Sequence, residues 1–123
     1  MATVTPSEIT HPLSHRGLRI WKWASVNAAD DCESVVAGGY TDKTVYFICA
    51  NPFGGNMSLV GSPLPTGSGT QHFVTLTDPQ GNAISGKSST TAEAVLEHAY
   101  LIKPVAGSSV VAVDVFLVLG STK

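Results

Sequence analysis

The chain has 123 residues, a length typical of one domain, and its seven basic and nine acidic residues give a net charge of -2. Only 13% of the residues are charged while 43% are apolar, which favours a β-rich domain whose surface is partly covered by partners. The weak negative charge and the lack of any basic run exclude nucleic acid as an expected partner.

The first seventeen residues lack the basic start and continuous apolar stretch of a signal peptide. The longest apolar run, residues 110–119, contains Asp114 and is much shorter than the roughly 20 residues that cross a bilayer. We therefore expect no membrane partner and synthesis in the cytoplasm of a host cell. In that reducing environment Cys32 and Cys49 are expected as free thiols, with a disulfide between them as the alternative.

Residues 1–17 contain two prolines and show neither helical nor strand periodicity. They predict an extended N-terminal arm, followed by a domain over residues 18–123. Such an arm needs a partner to order it. Its candidate contact residues are Val4, Ile9, His11, Leu13 and His15.

The domain shows short β-rich segments separated by turn residues, which predicts an all-β, antiparallel β-sandwich of the jelly-roll or immunoglobulin-like kind. The predicted strands cover residues 18–24, 33–37, 44–50, 56–61, 72–77, 95–103 and 110–119. The sequence Asp78-Pro79-Gln80-Gly81 predicts a type I turn, because Pro is favoured at the second position and Gly at the fourth. Residues 86–91 are polar and predict a loop.

Aromatic and aliphatic residues recur at alternate positions of the first predicted strand, the third and the last. Period two places Trp21 and Trp23 on one face of their strand. Tyr46, Ile48 and Phe116 are also outward in this interpretation, so the five side chains predict one continuous apolar patch that contacts a partner. The alternative is that the two tryptophans stack on a sugar ring. In the last strand we expect Val111 and the alternate residues that follow it to lie in the core.

The residues that carry chemistry elsewhere have simpler explanations here. His11 and His15 have a helical ligand spacing, but Pro12 lies between them, so no metal and no cofactor is expected. No nucleophile-elbow, phosphate-loop or zinc-protease motif occurs, which predicts a non-enzymatic protein. Glu93 and Glu97 could meet another carboxylate across a sandwich, as in a small glycosidase, and this remains a third hypothesis.

Several motifs occur in a particular order between Tyr40 and Leu119. They are Asp42-Lys43-Thr44-Val45-Tyr46-Phe47, Phe53-Gly54-Gly55, Gly61-Ser62, Thr75-Leu76-Thr77-Asp78-Pro79-Gln80-Gly81-Asn82 and Tyr100-Leu101-Ile102-Lys103-Pro104. In this order the chain resembles small β-sandwich proteins encoded among the head genes of tailed phages. It departs from them after Ser62, where Pro63-Leu64-Pro65 and a Gly/Ser stretch replace an Asn-Asp-Gly turn.

The resemblance implies a virion structural protein that decorates or cements the outer surface of the capsid. Its partners would be the major capsid protein and further copies of itself, as a dimer or trimer that covers its apolar faces. A carbohydrate-binding module on the virion head or tail is the alternative.

Overall fold

The computed structural model describes residues 3–10, 18–64, 73–97 and 99–120. These residues form eleven β-strands and no helix. The strands are β1 (Thr3–Val4), β2 (Ser7–Ile9), β3 (Arg19–Val26), β4 (Asp31–Cys32), β5 (Val35–Val36), β6 (Asp42–Ile48), β7 (Met57–Ser62), β8 (Val74–Thr75), β9 (Thr91–Ala94), β10 (Leu101–Ala106) and β11 (Val113–Gly120). The predicted all-β fold class is confirmed. Among the described residues no helix is long and apolar enough to span a membrane.

Two antiparallel sheets make up most of the fold. The larger has the strand order β2-β3-β11-β6-β9, and the smaller has the order β5-β10-β7-β8. The central strand β11 fixes the register of the larger sheet, because Leu117 lies opposite Trp21 on β3 and opposite Val45 on β6. A third, minimal sheet is the parallel pair of β1 and β4.

Both larger sheets send alternate side chains into one apolar core. Fully buried side chains from the larger sheet include Trp23, Val45, Phe47, Val115, Leu117 and Leu119. The smaller sheet and its flanking segments contribute Met57, Leu59, Leu76, Ile84 and Ile102. Burial of these side chains is the main stabilising contribution to the fold, at about 1.5–3 kcal/mol for each large apolar side chain.

The last strand departs from the predicted alternation at its start. Val113, Val115, Leu117 and Leu119 are buried as predicted, but Val111 is 61% exposed and Val110 is buried. Ala112 causes this reversal because its φ of 53° is left-handed, so the backbone loses its period of two before β11 begins. The prediction that Val111 lies in the core is wrong.

The segment from residue 91 to residue 103 also differs from its prediction. Thr91–Ala94 forms edge strand β9 of the larger sheet, whereas strand β10 of the smaller sheet begins only at Leu101. Between them the chain crosses from one sheet to the other, held by hydrogen bonds from the Val95 amide to the Lys43 carbonyl and from the Leu96 amide to the Thr77 carbonyl. Val95 and Leu96, which were predicted as part of a strand, therefore belong to the connection between the two sheets.

The described part of the predicted arm is extended but is hydrogen-bonded to the domain. β1 pairs with β4, and β2 pairs with β3 of the larger sheet. Val4 packs against the core, and the Glu8 carboxylate accepts two hydrogen bonds from the Arg19 guanidinium at 2.7 and 2.8 Å. The predicted boundary after residue 17 therefore does not coincide with a break in the sheet.

The predicted turn at residues 78–81 is confirmed. The Gly81 amide donates to the Asp78 carbonyl at 2.9 Å, and the Asp78 carboxylate accepts from the amides of Gln80 and Asn82. Gly81 has a φ of 88°, which a residue without a Cβ adopts at little cost.

Candidate functional site: an apolar sheet face and a cleft

The outer face of the larger sheet, turned away from the core, is apolar and partly exposed. It is formed by the positions that alternate with the buried ones. Its apolar members are Ile9, Ile20, Tyr46, Ile48, Phe116 and Val118. We call this set the outer face.

Cross-strand pairing makes the outer face continuous over four strands. Phe116 on the central strand lies opposite Lys22 on one side and opposite Tyr46 on the other. Ile20 lies opposite both Ile9 and Val118. Tyr46 and Ile48 are 38% and 40% exposed, values that are high for large apolar residues in the middle of a sheet.

One ion pair crosses this apolar surface. The Lys22 ammonium lies 4.0 Å from the Asp114 carboxylate and 5.3 Å from the centre of the Phe116 ring. The two charges are of opposite sign and adjacent, so they give the outer face no net charge to select a strongly acidic or basic partner.

The structure separates the five side chains that were predicted to form one patch. Tyr46, Ile48 and Phe116 lie on the outer face, and Ile9 of the predicted arm joins them. Trp21 and Trp23 do share a face, but it is the inner one, opposite the buried residues Leu117 and Val115. Trp23 is fully buried, so its predicted role as an exposed interface anchor is wrong.

Trp23 instead completes a main-chain ladder. In the parallel pair of β1 and β4 the Glu33 amide donates to the Val4 carbonyl, and the next bond would run from residue 6 to the Glu33 carbonyl. Pro6 has no amide hydrogen. The Trp23 indole N–H donates to the Glu33 carbonyl at 2.8 Å and takes its place.

The burial of Trp23 also removes the predicted sugar-stacking pair. Trp21 is only partly buried, but it packs against the core and the Arg19 guanidinium lies 5.5 Å from its ring centre. A platform of two exposed parallel rings is therefore absent from this strand. The three remaining arm candidates, His11, Leu13 and His15, lie outside the described residues.

A cleft with a volume of about 790 Å³ lies beside β5. We call it the β5 cleft. Its walls include Pro6, Trp21, Ser34, Val36, Phe73 and Lys103. The N-terminal segment, β3, the β4–β5 segment and β10 all contribute to it, so only the folded register brings these residues together.

Two similar stacks of an acid, a cation and an aromatic ring flank the β5 cleft. In the first, Glu8 pairs with Arg19, which lies over Trp21. The hydrogen bond from Arg19 lowers the pKa of Glu8, and the same pairing raises the pKa of Arg19 above its usual value. In the second, Asp31 lies 3.8 Å from the Lys103 ammonium, which is 4.6 Å from the centre of the Phe73 ring.

Carboxylates considered for acid–base chemistry are held in structural interactions. Glu93 pairs with Lys87 at 3.2 Å. Glu97 accepts hydrogen bonds from the amide and the hydroxyl of Thr77. Burial opposes ionisation of Glu97, but these hydrogen bonds outweigh it and lower the pKa of the carboxyl group. The lowered pKa of Glu97 is the opposite of the raised pKa that a general acid needs near neutral pH.

Both cysteines are free thiols, as expected. Cys32 is buried beside the β5 cleft, where burial and then the nearby Asp30 and Asp31 raise the pKa of its thiol to about 11. The protonated form is therefore favoured near neutral pH, which makes Cys32 a poor nucleophile. Among the described residues no group of His, Cys, Asp and Glu is arranged to hold a metal ion.

Sequence reasoning did not find the β5 cleft. A partial signal was present, because Pro6 in the predicted arm and Pro104 after the predicted strand 95–103 each lack an amide donor. Their consequence depends on the register of pairing, which the sequence does not show.

Searches against protein-family models, curated proteins and solved structures found no match to this chain.

Proposed function

We propose that the chain is a structural protein of a phage virion, which decorates the outer capsid surface by binding the major capsid protein through the outer face. The proposal also takes the two larger sheets as the layers of a β-sandwich of the jelly-roll or immunoglobulin-like kind, since both contribute to one core.

The observation that carries this proposal is the continuous apolar surface across the middle of the larger sheet. A solvated sheet face normally alternates polar residues with the buried ones. Here Tyr46, Ile48 and Phe116 occupy those positions, and Ile9 extends the surface to the edge strand. A face of this composition is typical of a protein–protein contact.

The order of motifs between Tyr40 and Leu119 supports a virion as the place of that contact. The Phe-Gly-Gly motif and the Asp78 turn both have structural explanations in this fold. The motifs therefore support an architecture shared with the phage proteins that the chain resembles, and they bear on function only through that resemblance. A binding role also suits the interactions of Glu93 and Glu97, which leave these carboxylates in structural contacts.

Copy number in the particle is the first test. Quantitative mass spectrometry of virions of the encoding phage compares this chain with the major capsid protein. A near-stoichiometric ratio is expected for a protein that occupies every equivalent lattice site. A handful of copies would move the chain to the tail or neck, and absence from virions would overturn the proposal.

A matched pair of variants then tests the surface. Ile48 and Val105 are both 40% exposed, but Ile48 lies on the outer face of the larger sheet and Val105 lies on the smaller sheet. Ile48→Lys is expected to lower occupancy on purified heads, because a lysine is costly to desolvate in an apolar contact. Val105→Lys is the control. Equal occupancy of both variants would exclude the outer face as the capsid contact.

The same variants test self-association. We expect a dimer or trimer, and light scattering coupled to gel filtration measures the mass in solution. If the outer face also binds a second copy, Ile48→Lys shifts the protein to monomer while Val105→Lys does not.

A further inference from the structure

We infer that the open edge of residues 32–36, along the β5 cleft, binds an extended segment of a partner protein by strand addition. This inference concerns a different surface from the outer face and does not depend on the proposed function.

The paired edge of this stretch can be followed residue by residue. The Glu33 amide donates to the Val4 carbonyl, and the Ala37 amide donates to the Tyr100 carbonyl at 2.7 Å. Val35 lies opposite Ile102 in the antiparallel pair of β5 and β10. Odd-numbered residues thus direct their main-chain groups to β1 first and then to β10.

Pro104 explains why the partner changes. Continuing the β5–β10 register would place Glu33 opposite Pro104, which has no amide hydrogen to donate. The ladder with β10 therefore ends at Ile102, and β1 takes over the same edge for residues 31–33. One edge of the stretch is in this way fully used by the chain itself.

Main-chain groups of the even-numbered residues face the other way. In a strand, successive amide and carbonyl groups alternate between the two edges. The groups of Cys32 in β4 and of Val36 in β5 accordingly point away from β1 and β10, and Ser34 lies in the connection between these two strands. None of the three residues has an amide or carbonyl group bonded to another backbone group of the described residues. Cys32, Ser34 and Val36 also line the β5 cleft.

An edge whose amide and carbonyl groups at Cys32, Ser34 and Val36 have no backbone partner among the described residues, beside a cleft of about 790 Å³, is complementary to another strand. β5 is the terminal strand of its sheet, so an added strand meets no competing neighbour within the described residues. The cleft suits alternate apolar side chains, because Trp21 and Val35, which pack in the core, and Phe73 all line it. In each of the two ion pairs that flank the cleft, the acid and the cation neutralise each other. We therefore assign the site to an extended, alternately apolar peptide segment.

Amide hydrogen exchange by NMR tests the free protein first. The amides of Cys32, Ser34 and Val36 are expected to exchange fast, while those of Glu33 and Ala37 are protected by their hydrogen bonds. Protection of the even-numbered amides in dilute protein would mean that another part of the chain fills the edge. Protection that appears only with rising protein concentration would assign the edge to a second copy. Either result overturns the inference.

A displayed library of random peptides about ten residues long, which exceeds the length of the open edge, provides the probe. Selection on the full chain is expected to enrich alternately apolar sequences, and a synthetic enriched peptide should protect the amides of Cys32, Ser34 and Val36. No enrichment, or binding that leaves these amides unprotected, would overturn the inference.

Variants at Val36 locate the contact. Val36→Pro removes an amide hydrogen from the open edge of β5, and we expect it to weaken binding of the enriched peptide by about tenfold. Val36→Thr keeps the amide and the β-branched shape, and should bind as the original protein does. Equal binding of the two variants would contradict strand addition.

Ser34→Arg is a second variant in case Val36→Pro does not fold. It fills the cleft with a long side chain while it leaves the main-chain bonds of β1 and β10 in place. Loss of peptide binding with an unchanged thermal transition is expected, and undiminished binding would overturn the inference.

Discussion

The indole of Trp23 has a specific polar role inside an apolar core. Its N–H donates to the Glu33 carbonyl, a hydrogen bond that Pro6 cannot make because it has no amide hydrogen. Trp23→Phe keeps an aromatic ring but removes this part-buried hydrogen bond, a change that is expected to cost about 0.5–1.5 kcal/mol. Urea unfolding should show this loss of stability.

Trp21→Phe is the matched control for Trp23→Phe, because Trp21 lies two residues away on the same face of β3 and borders the β5 cleft. Its substitution is expected to cost less. Equal losses in the two variants would show that ring size, and not the indole hydrogen bond, sets the cost.

The lowered pKa of Glu97 should make the free energy of unfolding depend on pH. Burial raises the pKa of its carboxyl, but the hydrogen bonds from Thr77 lower it below the ordinary value of 4.5 overall. A group with a lowered folded-state pKa stabilises the fold above its unfolded pKa, and that stability is lost as the pH falls through the folded value. Thr77→Val removes the hydroxyl donor, so it should destabilise the protein at pH 7 and have a smaller effect well below pH 4.5.

Thr75→Val provides the comparison for Thr77→Val, since Thr75 is exposed on β8. Denaturant unfolding at several pH values measures both variants. A Thr77→Val effect that is constant from neutral to acid pH would contradict the role given to Glu97.

At the level of elements, the Phe-Gly-Gly turn is shaped by close backbone packing. A Cβ on Gly55 would lie 2.1 Å from the Ser108 carbonyl oxygen. This turn and the turn at residues 108–109 are also joined by hydrogen bonds from the Gly107 amide to the Asn56 carbonyl and from the Val111 amide to the Phe53 carbonyl. Gly55→Ala must push these turns apart, and we expect a loss of about 2–3 kcal/mol in thermal or denaturant unfolding.

Gly81→Ala separates steric contact from backbone conformation. Gly81 has a φ of +88° but nothing within 4 Å of the Cβ position, so its substitution reports only the conformational cost, about 1–2 kcal/mol. A smaller loss for Gly55→Ala than for Gly81→Ala would mean that the two turns are not in the close contact described.

Strands could be predicted from the sequence where one face is clearly apolar and the backbone is regular. β6 and β11 follow this rule, and the Asp78 turn was predicted from its turn residues. The left-handed Ala112 broke the rule, because alanine gives no warning of a positive φ. The edge strand β9 is short and polar, and only its pairing with β6 makes it a strand.

The candidate site could be predicted only in part. Alternation correctly grouped Tyr46, Ile48 and Phe116, but it placed Trp23 with them because the larger sheet is apolar on both faces. Nothing in a period of two says which apolar face is inside. The β5 cleft depends on where Pro6 and Pro104 interrupt their ladders, and therefore on pairings between residues far apart in sequence.

At the scale of the whole molecule, the N-terminal segment pairs with strands in two different parts of the fold. β1 holds the β4–β5 segment, which continues into the smaller sheet, and β2 forms the edge of the larger sheet. Val4 adds apolar packing against the core between them. A segment in this position contributes to stability in addition to any contact that it makes with a partner.

Deletion of residues 1–10 is therefore expected to destabilise the domain, by at least about 2 kcal/mol, because it removes the pairing of two strands and the packing of Val4. Glu8→Gln is the control: it keeps both strands and weakens only an exposed ion pair, which contributes little. Urea unfolding measures both proteins. If the deletion leaves the unfolding midpoint unchanged, the segment is a separate arm, available in full to hold a neighbouring subunit.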